Sequence, residues 1–485
     1  MPSLLLALYL IVLVLLSLHG AHRLVHLGWW RRAGPPPTPP PLPDDLPVVT
    51  VQLPVYNERD VVERLVDAVA ALDWPADRLQ IQLLDDSTDD IGARAAPALA
   101  RARARGIDAV LFRRPQRQGY KAGALAFGLT QARGDILAIF DADFLPPTDF
   151  LRRTVPHLLT EGVGLVQCRW GHLNEGGSAL TRAQATLLDG HFVVEQVARH
   201  TSGAWFNFNG TAGVWRRAAI EAAGGWQADT LTEDLDLSYR AQLAGWRFVF
   251  LTDAVVPAEL PDTASAFATQ QRRWARGSIE TFRKLGARVA RAQVPLRVRV
   301  EALSHLGANL AWPLVVLLST LLPLVVMTRG SASAGHWWLD LPGFVFSIGV
   351  HTLFYTGASG GRLRRVPLVL ALAVGMAVSQ AVAVFEAFGQ GRVAFERTPK
   401  NGGGTGSYRG ASRGTFILAV ELVLAALNLV TATIALGRGQ PGSVPFLLLF
   451  GAGYAWVAGM EVAERWGARP EPMARREVGE PVAGT

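Results

Sequence analysis

Cysteine is almost absent from this chain: Cys168 is the single one among 485 residues. That excludes a disulfide framework and any zinc site built from cysteines. Histidine is sparse as well, and the i, i+4 pair His191 and Glu195 has no second histidine beside it to complete a metal site. The charge excess is small, 47 Lys+Arg against 40 Asp+Glu, and no basic-aromatic module accompanies it, so nucleic acid is not an expected partner. A GxxxxGK[ST] loop is missing, which argues against a P-loop nucleotidase. No Lys or Arg precedes the first apolar run, residues 4–20, whereas Arg23, Arg31 and Arg32 follow it. A cleaved signal would need a positive start and a small-residue cleavage site. The pattern instead predicts an uncleaved transmembrane anchor over 1–32, its N-terminus outside and the following chain cytoplasmic.

Apolar residues are plentiful, at 50% of the chain. After the anchor, residues 33–46 are a linker whose PPPTPPPLP core favours a stiff extended spacer. Periodicity then alternates. Residues 48–54, 79–87, 108–114 and 135–143 read as strands, while 59–72, 91–105 and 121–132 read as helices. Strands alternating with helices predict a parallel sheet covered on both faces, with ligands at the carboxyl ends of the strands. From 144 to 285 the pattern is irregular and rich in Trp, Gly and Asn. From 286 to 463 the composition is that of a membrane, with apolar runs at 303–327, 337–357, 366–388, 415–436 and 443–462. The run 366–388 has Arg362, Arg364 and Arg365 before it and Arg392, Arg397 and Lys400 after it. Basic residues at both ends place both on the cytoplasmic side. The run is therefore read as interfacial or re-entrant, leaving five spans, a cytoplasmic loop over 389–413 and a cytoplasmic tail over 464–485.

Chemistry gathers at the predicted strand ends. Asp141 and Asp143 close the fourth strand; two apart on a strand, they face one side and can share a hard cation such as Mg²⁺ or Mn²⁺. Asp85 and Asp86 close the second, where a carboxylate can accept from a base or ribose or simply cap a helix. Tyr56 and Glu58 close the first, and the tyrosine ring can stack on a nucleobase. Lys121, in GYKAG, opens a helix where it can meet phosphate. Glu233 and Asp234 follow Thr232 ahead of a helical pattern, which reads either as a cap or as a place for a general base, Asp234. In QQRRW, Gln270 and Arg273 can hold diphosphate oxygens and Trp274 can face a sugar ring; an amphipathic helix on the membrane is compatible with this. Asn209 and Gly210 lie in a small permissive loop, FNGTAG, that a sugar can approach.

The ordered set YNE, DDST, GYKAG, DAD, TED and QxxRW resembles glycosyltransferase family 2, in its membrane-bound cellulose-synthase-like branch. The likeness extends over about residues 48–283. The strings LDDSTD, GYKAGAL, FNGTAGVWR and AGGW are similar to the plant cellulose-synthase-like A and C groups, which make mannan or glucomannan backbones and the glucan backbone of xyloglucan. The resemblance implies an α/β GT-A fold, Rossmann-like, over 47–285, joined to an α-helical transmembrane domain. It implies an inverting transfer of a hexose from GDP-mannose or UDP-glucose to a growing β-1,4-linked polysaccharide, with Mg²⁺ or Mn²⁺ as cofactor. Tyr56, Glu58, Asp85 and Asp86 would contact the nucleoside side, Lys121 the diphosphate, and Asp141 and Asp143 the nucleotide and metal. Asp234 would be the base, with Gln270, Arg273 and Trp274 at the diphosphate and acceptor and Glu233, Asn209 and Gly210 on the acceptor side. Residues 395–400 resemble a gating loop in which Thr398 and Lys400 touch the donor, although Arg397 replaces a valine of that pattern. The spans would line an export channel in a bacterial inner membrane, with the catalytic domain cytoplasmic. Transfer of one sugar to a lipid, as in ceramide glucosyltransferase-like proteins, is the alternative. A transporter or receptor with a degenerate sugar site would have lost the metal or base carboxylates, and none is missing.

Overall fold

The structure, a computed structural model, describes residues 2–35, 38–328, 341–389 and 414–467. The chain opens with α1 (Pro2–Arg31), whose 30 residues extend about 45 Å. Beyond the linker, Val49, Val51 and Leu53 alternate with Thr50 and Gln52 in β1 (Val49–Val55). The apolar set packs on Leu65, Val66 and Val69 of α2 (Val62–Ala70). The polar set points to the other face and is paired there. Thr50 Oγ1 donates to Gln80 Oε1 at 2.9 Å and Gln52 Nε2 to Gln82 Oε1 at 3.1 Å, both partners on β2 (Leu79–Asp85). Gln80 and Thr50 then accept from the backbone of Arg133 and Gly134, which fixes the entry to the strand that leads into the aspartate pair. Each of these buried side chains finds a partner for at least one polar atom, which limits the cost of burying it.

After α3 (Ile91–Ala104), β3 (Asp108–Arg113), α4 (Tyr120–Thr130) and β4 (Ile136–Ile139), the alternation expected from sequence ends. The irregular stretch then supplies three more strands, which periodicity did not mark. They are β5 (Val163–His172), preceded by α5 (Phe150–Leu159), then β6 (Gly213–Arg216) and β7 (Arg247–Ala258). The seven-stranded order is β3-β2-β1-β4-β6-β5-β7. Strands β1 to β4 pair in parallel as expected, but β6 runs antiparallel to both β4 and β5, so the sheet is mixed. Between β5 and β6 lie α6 (Ala179–Asp189), a π-helical turn (Gly190–Glu195) and α7 (Gln196–Ser202). Between β6 and β7 lie α8 (Arg217–Ala222) and α9 (Glu233–Leu243).

The 27-residue α10 (Ala264–Ala290) leads by α11 (Leu296–Gly307) into α12 (Ala311–Thr328), α13 (Leu341–Ala358), α14 (Val366–Glu386), α15 (Thr415–Gly437) and α16 (Val444–Arg465). These bury an apolar cluster with Tyr9, Val12 and Leu13 of α1. Inside it Asn428 Nδ2 donates to the Ser319 carbonyl at 3.0 Å, and Ser319 and Tyr454 hydroxyls pair at 2.9 Å. Among the described residues, five helical segments are long and apolar enough to cross a membrane: Leu4–Arg31, Leu296–Thr328, Leu363–Glu386, Thr415–Gly437 and Pro441–Arg465. The set includes the 366–388 run, which the charge pattern reads as interfacial, and not α13. Yet both ends of α14 are held to the sheet-bearing part: Arg365 pairs with Glu175 before it, and Arg272 of α10 grips Glu386 at 2.9 Å from both carboxylate oxygens.

Candidate functional site

Two adjoining cavities, about 160 and 330 Å³, lie between the carboxyl end of the sheet and the helices of the membrane part. Trp170, Leu188, Asn209, Thr232, Asp234 and Trp274 line both.

The first cavity collects most of the residues singled out from sequence: Tyr56, Glu58, Asp86, Lys121, Asp141, Asp143, Asn209, Gly210, Glu233, Asp234, Gln270, Arg273 and Trp274 all line it. The aspartate pair arrives by another route than expected. β4 ends at Ile139, and the Phe144 N–H closes a turn onto the Asp141 carbonyl at 3.1 Å. Asp141 and Asp143 are turn residues and do not share a strand face; the turn, not the pleat, presents both to the cavity. The Thr211 hydroxyl holds the Asp141 N–H at 2.9 Å. Lys121 Nζ donates to Asp141 Oδ1 at 2.6 Å and to the Gly210 carbonyl at 2.9 Å, with Glu233 at 4.0 Å. Burial works against the Lys121 charge, but Asp141 and Glu233 outweigh it and raise its pKa.

Asp234 begins α9 beside this group. The capping reading fails at Thr232, whose side chain makes no cap hydrogen bond. Burial and the neighbouring Glu233 push the Asp234 carboxyl up to about 7, with Lys121 pulling the other way. A β-carbon on Gly210, φ +82°, would stand 2.9 Å from Asp234 Oδ2 and 3.4 Å from Lys121 Nζ. Glycine there lets the backbone pass between the two charges. On α10, Gln270, Arg273 and Trp274 share one face because residues three and four apart are neighbours on a helix. The intervening Gln271 turns to the second cavity and Arg272 to Glu386.

The two carboxylates expected on the nucleoside side differ in their surroundings. Asp85 is fully buried, does not line the cavity and accepts the Ser87 N–H at 2.8 Å, a turn-forming role. Asp86 does line it, but is held by Arg114, Nε at 2.8 Å. Thr398 and Lys400 lie outside the described residues. Sequence reading also missed two residues. The Arg117 guanidinium stacks 3.4 Å from the Tyr56 ring centroid, on the face proposed for a base. Trp170, on β5, lies 6.3 Å from Trp274 by ring centroids and makes the wall between the cavities aromatic. An arginine two residues before GYKAG was a visible signal; Trp170, on an unmarked strand, had none.

The second cavity extends from Asp234 and Trp274 to His19, His22, Arg23 and His26 of α1, Trp312 of α12, Phe354 and Tyr355 of α13, and Met376 and Gln380 of α14.

The profile of a glycosyltransferase-like family 2 matches residues 47–277. Among curated relatives, glucomannan 4-beta-mannosyltransferase 1 of Oryza sativa subsp. japonica is 45% identical over 263 residues, covering 52% of this chain and 50% of that one. Glucomannan 4-beta-mannosyltransferase 2 of Arabidopsis thaliana is 46% identical over 252 residues, 51% and 47% of the two chains. The chain thus spans about half the length of the curated relatives it matches. Among solved structures, a mannosyltransferase from Pyrobaculum calidifontis in complex with GDP-Man and Mn²⁺ superposes with TM-score 0.51 at 22% identity, covering 75% of this chain and 97% of that one. That likeness establishes the GT-A fold.

Proposed function

We propose that the chain, whose residues 47–277 match the glycosyltransferase-like family 2, is an inverting membrane β-hexosyltransferase that extends a β-1,4-linked polysaccharide, with GDP-mannose as donor. The observation that carries the proposal is one cavity holding a carboxylate pair, a half-buried lysine paired with one of them and a carboxyl with its pKa raised to about 7 against a tryptophan face. Mannose is preferred to glucose because the curated relatives at 45–46% identity are named as mannosyltransferases.

The carboxylates of Asp141 and Asp143 offer only hard oxygen donors, which suits Mg²⁺ or Mn²⁺. Such an ion, when bound, would neutralise charge on the donor diphosphate. Lys121, beside Asp141 and raised in pKa, is positively charged and adds a fixed cation at the same place. Gln270 and Arg273 present donors to diphosphate oxygens from one helix face. Asp234 takes the proton from an acceptor hydroxyl; that oxygen attacks the anomeric carbon as the bond to the diphosphate breaks. Attack opposite the leaving group inverts the centre, so an α-linked donor yields a β-linked product. Positioning and electrostatic stabilisation carry the rate. The second cavity, running from Asp234 to residues of α1, α12 and α13, supports passage of product toward the membrane. The held ends of α14 support an interfacial placement, and the flanking arginines a cytoplasmic catalytic domain. The plant relatives lend nothing to a bacterial inner membrane.

The test is donor turnover by the purified chain in lipid nanodiscs with Mn²⁺ and GDP-mannose or UDP-glucose, followed by linkage analysis. Asp234→Asn is expected to lower transfer by roughly 10²–10⁴-fold while nucleotide binding survives. Retained turnover would remove Asp234 from the role of base. A product carrying one sugar on lipid would select the single-transfer alternative.

A further inference from the structure

The helix that runs from α6 to α7 is interrupted by the π-helical turn Gly190–Glu195. Such single turns shift the register of one helix and occur often at functional sites. Here the shift presents His191 and Glu195 together to the second cavity. The turn is pressed against α13: a β-carbon on Gly190 would lie 2.9 Å from ring carbons of Phe354 and Tyr355. His191 bridges two groups. Its Nδ1 lies 3.3 Å from Glu195 Oε2 and its Nε2 2.9 Å from Asn209 Nδ2. The Asn209 amide oxygen accepts from Gln196 Nε2 at 2.9 Å. With its oxygen so engaged, Asn209 donates through Nδ2. His191 therefore accepts at Nε2 and donates from Nδ1, which defines a neutral tautomer. Glu195 is held in turn by Arg23 of α1 at 3.1 Å and Arg199 at 3.6 Å. Burial opposes its ionisation, but His191, Arg199 and Arg23 keep its carboxyl well below the usual carboxylate range.

Arg23 pairs with Glu195, and Arg199 lies between Glu195 and Glu301, so the histidine is not needed to neutralise Glu195. Its ring is about a quarter exposed, 24%, and lines a cavity whose walls carry Trp170, Trp274 and Trp312. A polar hydrogen-bonding dyad among aromatic faces is what a saccharide needs, since hydroxyls demand directional partners and the pyranose faces are apolar. We propose that His191, oriented by Glu195, is an acceptor-positioning residue: with Asn209 it forms a saccharide subsite in the second cavity, next to Asp234, that holds the acceptor end of the glycan. The proposal rests on the glycosyltransferase reading of the adjoining site.

The test uses the full-length chain in nanodiscs with β-1,4-mannohexaose as probe. Saccharide binding is followed without donor by quenching of tryptophan fluorescence, and transfer from GDP-mannose separately. His191→Leu is expected to weaken mannohexaose binding and raise its KM about tenfold. The donor KM and donor hydrolysis without acceptor should stay within twofold of the parent. His191→Gln, which keeps a hydrogen-bonding group, should recover part of the loss. Transfer by the parent with mannohexaose binding unchanged in His191→Leu overturns the subsite and leaves the enzyme reading standing. Mannohexaose binding that depends on His191 in a parent that transfers no sugar supports the subsite and overturns the enzyme reading.

Discussion

Asp234 shows how one residue takes its chemistry from its neighbours. An isolated aspartate is a poor base near neutrality, but burial beside Glu233 brings this one to about 7. As the proposed base, Asp234 would work only when ionised, so kcat/KM for transfer is expected to fall as pH drops through about 7. Its folded pKa lies above the ordinary 3.8, so the fold favours the protonated form, and stability declines as pH rises from about 4 toward 7. Asp234→Asn should therefore raise the thermal midpoint at pH 8 while lowering transfer by roughly 10²–10⁴-fold; a midpoint lowered at pH 8 would contradict the buried-charge account. The aspartate pair makes a separate prediction. Replacing both Asp141 and Asp143 by Ala should remove the Mn²⁺ dependence of GDP binding, measured by calorimetry with and without the ion. Tyr56, Lys121, Asp141 and Asp234 were legible because each sits in a short motif at a strand end or helix start. Arg117 and Trp170 were not, because their roles come from contacts across the fold.

Among the elements, α10 and the π-helical turn do the most positioning. On α10, 3.6-residue periodicity sends Gln270, Arg273 and Trp274 to the first cavity, Gln271 to the second cavity and Arg272 to α14. That division follows from the sequence once the helix is granted. The π-helical turn does not follow, since a one-residue register shift leaves no compositional mark. Gly190→Ala should destabilise the protein by about 1–3 kcal/mol, because the added carbon meets rings that are packed in place. Thermal unfolding in detergent measures it. The short β6 explains why 144–285 looked irregular: four residues wedge between β4 and β5, and their partners at 136–139 lie far back in the chain. No local period encodes such a pairing.

At the scale of the whole molecule, a buried charge cluster ties α1 to the sheet-bearing part. Glu301 of α11 accepts from Arg199 at 2.9 Å and meets His22 at 2.6 Å and His26 at 2.8 Å, both on α1, while Arg23 reaches Glu195. His22, His26 and Glu301 are close enough to hold a metal ion. Arg23 and Arg199 already face Glu195 and Glu301, so each carboxylate has a cationic partner without an ion. Glu301→Leu leaves Arg199 buried opposite a lost partner and should cost about 3–5 kcal/mol, seen as a lowered unfolding midpoint. Placement of α14 is testable because the native thiol is silent: Cys168 is fully buried, and burial pushes its pKa up. Leu363→Cys and Phe388→Cys, both at exposed positions, should react with an impermeant maleimide from the same face of a sealed vesicle, and Leu436→Cys from the other. Labelling of 363 and 388 from opposite faces would make α14 a span.

What the sequence determined by itself is what local pattern encodes. The first four strands and their helices, the apolar segments and the motifs at strand ends all depend on residues a few positions apart. Only the tertiary structure decided that the aspartate pair sits in a turn, that Asp85 is buried against the Ser87 N–H while Asp86 is engaged by Arg114, that the sheet is mixed, and that His191 and Glu195 face the same space as Asp234. Each of these depends on groups brought together from distant parts of the chain, where burial, charge and close contact act without leaving a local period to read.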